Sequence, residues 1–120
     1  MYKYIQKTGQ LYKGSEFLGT GYSGYGEGKN NGEFEKVHDV GPIPRGTWVI
    51  MKPSYFDNKL GQVVMKLIPV GFSAYDRTSF RIHGDSIKSP GTASHGCIVI
   101  SRPIREKIAS SQYWELLEVV

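Results

Sequence analysis

Short runs of alternating apolar and polar residues, broken every few positions by Gly, Asn, Asp or Ser, dominate this 120-residue chain. Residues 2–6 alternate and end at a Thr8-Gly9 turn, and residues 11–13 and 16–18 predict two further short strands. Gly41-Pro42-Ile43-Pro44-Arg45-Gly46 is a rigid turn that leads into a β-branched and aromatic strand over 47–51. Residues 63–70, entered through Gly61, predict another strand. Residues 79–83 predict a third, with Phe80 and Ile82 on one face and Arg81 and His83 on the other. Residues 84–93 are dense in Gly, Pro, Ser, Asp and Thr and read as a loop, followed by a short apolar run over 97–100. Ser101-Arg102-Pro103 then opens a helix of about two turns through residue 109, with Ser as cap and Pro in the first turn. Residues 114–120 close the chain as a strand. The pattern predicts a mostly β single domain over residues 1–120, with one short α-helix, no internal repeat and no linker.

Glycine changes that picture in one place. Gly19, Gly21, Gly24, Gly26, Gly28 and Gly32 crowd a segment that ends in Asn30-Asn31-Gly32. It resembles a phosphate loop at a glance. However, Asn30 follows Gly28-Lys29 where Ser or Thr is required, Ser23 stands five before Gly28, and no apolar-periodic helix follows. The expectation is a mobile surface loop.

A formal net charge of +4 suits either an anionic partner or a solvated basic surface, and the cations are scattered along the chain. One cysteine excludes an internal disulfide framework. The opening Met1-Tyr2-Lys3-Tyr4-Ile5-Gln6 has no apolar signal core, and no stretch approaches transmembrane length. The chain is therefore expected to be made without a signal peptide.

Chemistry concentrates in Arg81-Ile82-His83-Gly84-Asp85-Ser86 and Ser94-His95-Gly96-Cys97-Ile98-Val99-Ile100-Ser101. A thiol is a strong nucleophile only as thiolate, which requires a nearby base or positive field. His83 ends one predicted strand and Cys97 begins another, so the loop between them can return the thiol to an imidazole. Gly96 permits an unusual backbone angle beside the thiol, and the amides of His95, Gly96 and Cys97 can form an oxyanion hole. A lone cysteine before Ile-Val-Ile also suits a small buried hydrophobe. A zinc site of His83, Asp85, His95 and Cys97 matches none of the common ligand spacings. His38, His83 and His95 all precede Cys97. That order excludes papain-like and NlpC-like hydrolases and leaves His83 or His95 as the base.

Ser94-His95-Gly96-Cys97 with an upstream His83-Gly84 resembles the active-site signature of the L,D-transpeptidases, the YkuD-like enzymes of peptidoglycan stem peptides. Gly21-Tyr22-Ser23-Gly24, Gly28-Lys29-Asn30, Gly41-Pro42-Ile43-Pro44-Arg45-Gly46 and Ser101-Arg102-Pro103 resemble one branch of them, the small toxins delivered by type VI secretion. The likeness runs from about Tyr4 to the end.

The resemblance implies a single L,D-transpeptidase-like β-sandwich or barrel, with its short α-helix after a catalytic Cys97 and with His83 as general base. It places Ser94, His95, Gly96 and Gly84 as the groups that orient the base and build the oxyanion hole. Arg81, Asp85, Ser101 and Arg102 are candidate substrate-binding residues, and neither metal nor cofactor is involved. The implied reaction forms a thioester from a tetrapeptide stem and resolves it as an L,D-carboxypeptidase or by D-amino-acid exchange. The His83–Ser94 gap is shorter than in housekeeping members, which implies a truncated lid. Val99 stands where they carry Asn or Arg, which disfavours cross-linking. Expected partners are peptidoglycan stem peptides and a cognate immunity protein, with no nucleic acid and no membrane insertion. The protein is expected to act as a monomer in the periplasm of a target bacterium. A phage lysis enzyme, a housekeeping wall enzyme and a catalytically decayed wall-binding module are the alternatives.

Overall fold

Alternation becomes burial in the first strand. In β1 (Tyr2–Tyr4) both tyrosines are buried and Lys3 between them faces solvent. The computed structural model describes residues 1–111 and 114–120. Among these the chain continues through β2 (Gln10–Lys13), β3 (Glu16–Thr20), β4 (Tyr22–Ser23), β5 (Gly46–Ile50), β6 (Met65–Pro69), β7 (Arg81–His83), β8 (Ile98–Val99), α1 (Arg102–Ala109) and β9 (Leu116–Val119).

The strands form one sheet in the order β3-β2-β1-β9-β5-β6-β7-β8-β4. Most neighbours are antiparallel, whereas β1 with β9 and β7 with β8 run parallel. The two edge strands, β3 and β4, are consecutive in the chain and joined through Gly21, so the sheet curls into a nearly closed barrel. Closure hides edges that would otherwise invite pairing with another chain. Inside lie Tyr2, Tyr4, Leu11, Trp48, Met65, Leu67, Ile82, Ile98, Leu117 and Val119, each almost fully buried. Trp48 anchors them. Its ring meets Phe80 edge-on at 4.8 Å, and its indole N–H donates to the Pro44 carbonyl at 3.0 Å. The stripe Arg105, Ile108 and Ala109 seats α1 against this core, with Ile104 alongside.

The glycine-rich segment is not a loose surface loop. It contributes the end of β3, all of β4 and two short 3-10 turns, and Ser23, Gly24 and Gly28 are buried. Close approach explains the composition. A methyl group on Gly21 would overlap the Val99 carbonyl, and one on Gly28 would overlap that of Val40. Gly21 also donates its N–H to the Gly9 carbonyl at 2.8 Å, so it touches both sides of the barrel seam.

Five of the expected segments form shorter strands, β1, β6, β7, β8 and β9, and in two of them the backbone shows why. Val63 takes a φ of 57° and Val64 bridges to Ser54, which breaks the run over 63–70 and starts it at Met65. Ser79 takes a φ of 67°, so β7 begins only at Arg81. Ser101 stands at the N-cap of α1, but its side chain makes no capping hydrogen bond.

The seam can be tested directly. Gly21→Ala should lower stability in urea unfolding by about 3 kcal/mol, because backbone rather than a movable side chain occupies the space. Gly26→Ala, with φ 57° and open space around it, should cost only about 1 kcal/mol.

Candidate active site

The parallel pairing of β7 with β8 sets Ile82 opposite Ile98 and His83 opposite Val99. Cys97, one residue before β8, therefore lies alongside Arg81. Parallel neighbours share a face in register. His83 and Cys97 accordingly line one cleft of about 380 Å³, with Ser79, Arg81, Ala93 and His95. Asp57, Lys59 and Leu60, from a hairpin closed by Ser54–Val64 and Asp57–Gly61 bridges, form its other wall. A second lobe of about 320 Å³ continues past His83 to Gly84, Asp85 and Ser86. The larger groove of about 740 Å³ between Gln6, Lys29, Asn31 and Arg45 contains neither His83 nor Cys97.

His83 is 2% exposed, and its Nδ1 lies 2.7 Å from the Gly84 carbonyl. A carbonyl only accepts, so Nδ1 carries the proton and Nε2 is left as the basic nitrogen. Burial pulls the imidazole below its usual pKa, and the positive charges of Arg105 and Arg81 add to this against the Gly84 bond. His83 is therefore neutral at pH 7. Burial also pushes the Cys97 thiol up, partly offset by the Arg81 amide and by the charges of Arg81 and Arg77. The thiol donates to the Ser79 carbonyl at 3.6 Å. The resting pair is a neutral thiol and a neutral imidazole lining one cleft, with the thiol hydrogen-bonded to Ser79 rather than to His83.

The turn that carries Cys97 is fastened from below. Its successive carbonyls each have a side-chain donor: His95 O from Arg77 at 3.2 Å, Gly96 O from Ser23 at 3.1 Å and Cys97 O from Ser94 at 2.6 Å. Ser94 Oγ also accepts from the amides of Gly24 and Gly96. Ser94 thus holds the turn's backbone and makes no bond to His83. Gly96 has a φ of 138°, and a Cβ there would come 2.6 Å from Arg77 Nη2. His95 lines the cleft, with its Nδ1 2.8 Å from the Asp39 carbonyl and its ring stacked on Tyr25.

Arg77 and Ser23 are absent from the residues the sequence singled out for the site. Arg77 is 5% exposed and donates to four carbonyls, those of Glu35, Pro42, Gly41 and His95. It forms no ion pair among the described residues. Glu35 holds the same network from the other side. Burial works against its ionisation, but hydrogen bonds from Arg45 and Gln6 outweigh that and hold its carboxyl at about 2.

The remaining sequence candidates divide. Gly84 supplies the carbonyl at His83 and packs against the buried Arg105, whose Nη1 donates to Gln62 O and Val63 O. Asp85 accepts from the Tyr22 hydroxyl and from the Ser86 and Gly91 amides, which ties the 84–93 loop to β4. Arg81 lies in the cleft. Arg102 and Ser101 do not: they face a separate groove with Tyr22, Val99 and Arg105, and Arg102 pairs with Glu106 at 2.7 Å.

The fold is shared with known proteins. The catalytic domain of an E. faecium L,D-transpeptidase, solved by NMR, superimposes with a TM-score of 0.59 at 15% identity, over 99% of this chain and 95% of that one. An L,D-transpeptidase from Mycobacterium smegmatis gives 0.52 at 16% identity, over 99% of this chain and 58% of that one. No similar sequence is found among curated proteins. The architecture is thus that of the L,D-transpeptidase-like (YkuD-like) class. Within it, residues 19–117 match the Tlde1 domain, and the chain belongs to that family of type VI effectors.

If Arg77 supplies positive charge beneath the thiol, Arg77→Met should move the pH dependence of Cys97 alkylation by iodoacetamide upward by about one unit. Arg77→Lys should restore part of it. An unchanged profile in a folded Arg77→Met protein would remove Arg77 from this role.

Proposed function

We propose that this protein is a cysteine acyltransferase of peptidoglycan tetrapeptide stems, acting as an L,D-carboxypeptidase, a D-amino-acid exchange enzyme or both. One observation carries the reading. A neutral, Nδ1-anchored His83 shares a cleft with Cys97 on adjacent parallel strands. Family membership supports the substrate class.

In the first step Cys97 Sγ attacks the carbonyl of the third stem residue while His83 Nε2 takes the thiol proton. The carbonyl becomes a tetrahedral oxyanion, held by the amides of His95 and Cys97; that of Gly96 is directed to Ser94 Oγ. His83 then returns the proton to the departing amine as the C–N bond breaks. This leaves a thioester and a free D-alanine. Water or the amine of another D-amino acid attacks the thioester, gives His83 a proton, and the thiolate recovers it. Val99 supports trimming or exchange over cross-linking: it is apolar, 2% exposed and paired with His83 and Tyr22, so it offers a second stem no polar group.

The proposed setting is antibacterial, with delivery into a rival cell and action in its periplasm. A cognate immunity protein in the producer accompanies this reading.

Incubation of the purified protein with tetrapeptide muropeptides should yield tripeptides by mass spectrometry. Cys97→Ala should abolish the conversion, and His83→Ala should lower kcat about a hundredfold to ten-thousandfold. Full activity in Cys97→Ala would sink the proposal. The active imidazole is the neutral one and burial depresses its pKa. The acid limb of kcat/KM should therefore lie below the ordinary imidazole range of about 6.5. Expression directed to the periplasm should arrest growth, whereas the same protein retained in the cytoplasm should not.

A further inference from the structure

Arg81 meets the nucleophile from two directions. Its backbone amide lies against the Cys97 sulfur. Its guanidinium Nη1 donates to the Ser79 carbonyl at 3.2 Å, the same oxygen that accepts from Cys97 Sγ at 3.6 Å. A single carbonyl therefore stands between a cation and the sulfur. Ser79 presents that oxygen with a φ of 67°, a conformation costly for a non-glycine residue and common where backbone is held for function.

Beyond that carbonyl the guanidinium makes no hydrogen bond or ion pair among the described residues; the Asp57 carboxylate senses its charge but lies outside ion-pair distance. Arg45 and Arg102 pair with carboxylates, and Arg77 and Arg105 are buried among carbonyls. Arg81 is the remaining arginine. Among the described residues it has no ion pair, and the Ser79 carbonyl is its one side-chain acceptor. The acidic group in the cleft, Asp57, is turned to its own loop, where Oδ1 accepts from the amides of Lys59 and Leu60 at 2.8 Å each. Lys59 adds a second cation to the lining.

We propose that Arg81 is the carboxylate-recognition residue of this cleft, binding the terminal carboxylate of the D-residue that Cys97 expels and so selecting stems with a free C-terminus. The proposal rests on the acyl-transfer function above. A guanidinium matches a carboxylate with two parallel N–H···O bonds. In a tetrapeptide stem the terminal carboxylate is two bonds from the scissile nitrogen, within reach of a cation one carbonyl away from the attacking sulfur. The side-chain carboxylate of a diaminopimelate at position three sits at the end of a longer arm. Once the D-residue leaves, the same guanidinium is free for the carboxylate of an incoming D-amino acid. One contact thereby serves both release and exchange.

The test compares three stems on the purified full chain: the tetrapeptide free acid, its C-terminal amide, and the tetrapeptide with the side-chain carboxylate of residue three amidated. Wild type should favour the free acid over the terminal amide by about tenfold to a hundredfold in kcat/KM, mainly through KM, and accept the side-chain amide like the parent. Arg81→Met should bring the acid-to-amide ratio close to one, and Arg81→Lys should recover part of it. Each ratio is taken within one variant, so loss of folded protein cancels. Equal turnover of acid and terminal amide by wild type, or a preference that survives in Arg81→Met, would overturn the assignment while leaving acyl transfer in place. Sensitivity to side-chain amidation alone would likewise overturn the terminal-carboxylate site. No turnover of any stem would overturn the acyl-transfer function, and this proposal with it.

Discussion

A buried guanidinium holds the cysteine end of this molecule together. Taking a charge out of water is costly unless its hydrogen-bonding capacity is met inside the protein. Arg77 meets it with the carbonyls of Glu35, Gly41, Pro42 and His95, drawn from three separate stretches of chain. Those carbonyls in turn depend on the guanidinium for their partner. The result ties the proline-rich turn before β5, the Glu35 segment and the cysteine turn to one point, and leaves a positive charge beneath Gly96. Ser23 and Ser94 complete the fastening, so the backbone around Cys97 is set before any substrate arrives.

The proposed chemistry rests on one pairing. Parallel strands cannot be joined by a tight hairpin, so β7 and β8 require a long connection, and the 84–97 stretch supplies it. That requirement places His83 at the end of one strand and Cys97 at the start of the next, both toward the cleft. Gly84 orients the imidazole by its carbonyl, while burial keeps both partners uncharged at rest. A neutral pair suits a mechanism in which proton transfer accompanies attack. It also spares the protein a buried ion pair.

Much of this was legible in the sequence. The short alternating runs mark most strands, Pro103 marks the start of α1, and His83-Gly84 with Ser94-His95-Gly96-Cys97 marks the cleft. Other parts were hidden for physical reasons. Arg77 and Ser79 follow a turn in which Ala74, Tyr75 and Asp76 all take positive φ, a conformation that their side chains do not advertise. Glycine is ambiguous in itself, since it serves both flexibility and close approach; at Gly21 the Val99 carbonyl decides, and at Gly24 and Gly28 the backbone of Gly28, Pro42 and Val40 does, which only the folded chain brings near. Arg105 lies on the core-facing stripe of α1 where an apolar residue is expected, whereas Arg102, the substrate-binding candidate, is turned outward to Glu106. The hairpin wall with Asp57, Lys59 and Leu60 comes from a stretch with no clear periodicity.

The proposed chemistry requires a covalent bond between Cys97 and a stem peptide. Intact-protein mass spectrometry after acid quenching, during turnover of a tetrapeptide stem, tests it most directly. The expected result is a species heavier by the tripeptide acyl group, mapped by digestion to Cys97 and lost on treatment with hydroxylamine. Tripeptide product formed with no such adduct, at turnover fast enough for it to accumulate, or an adduct mapped to another residue, would contradict it.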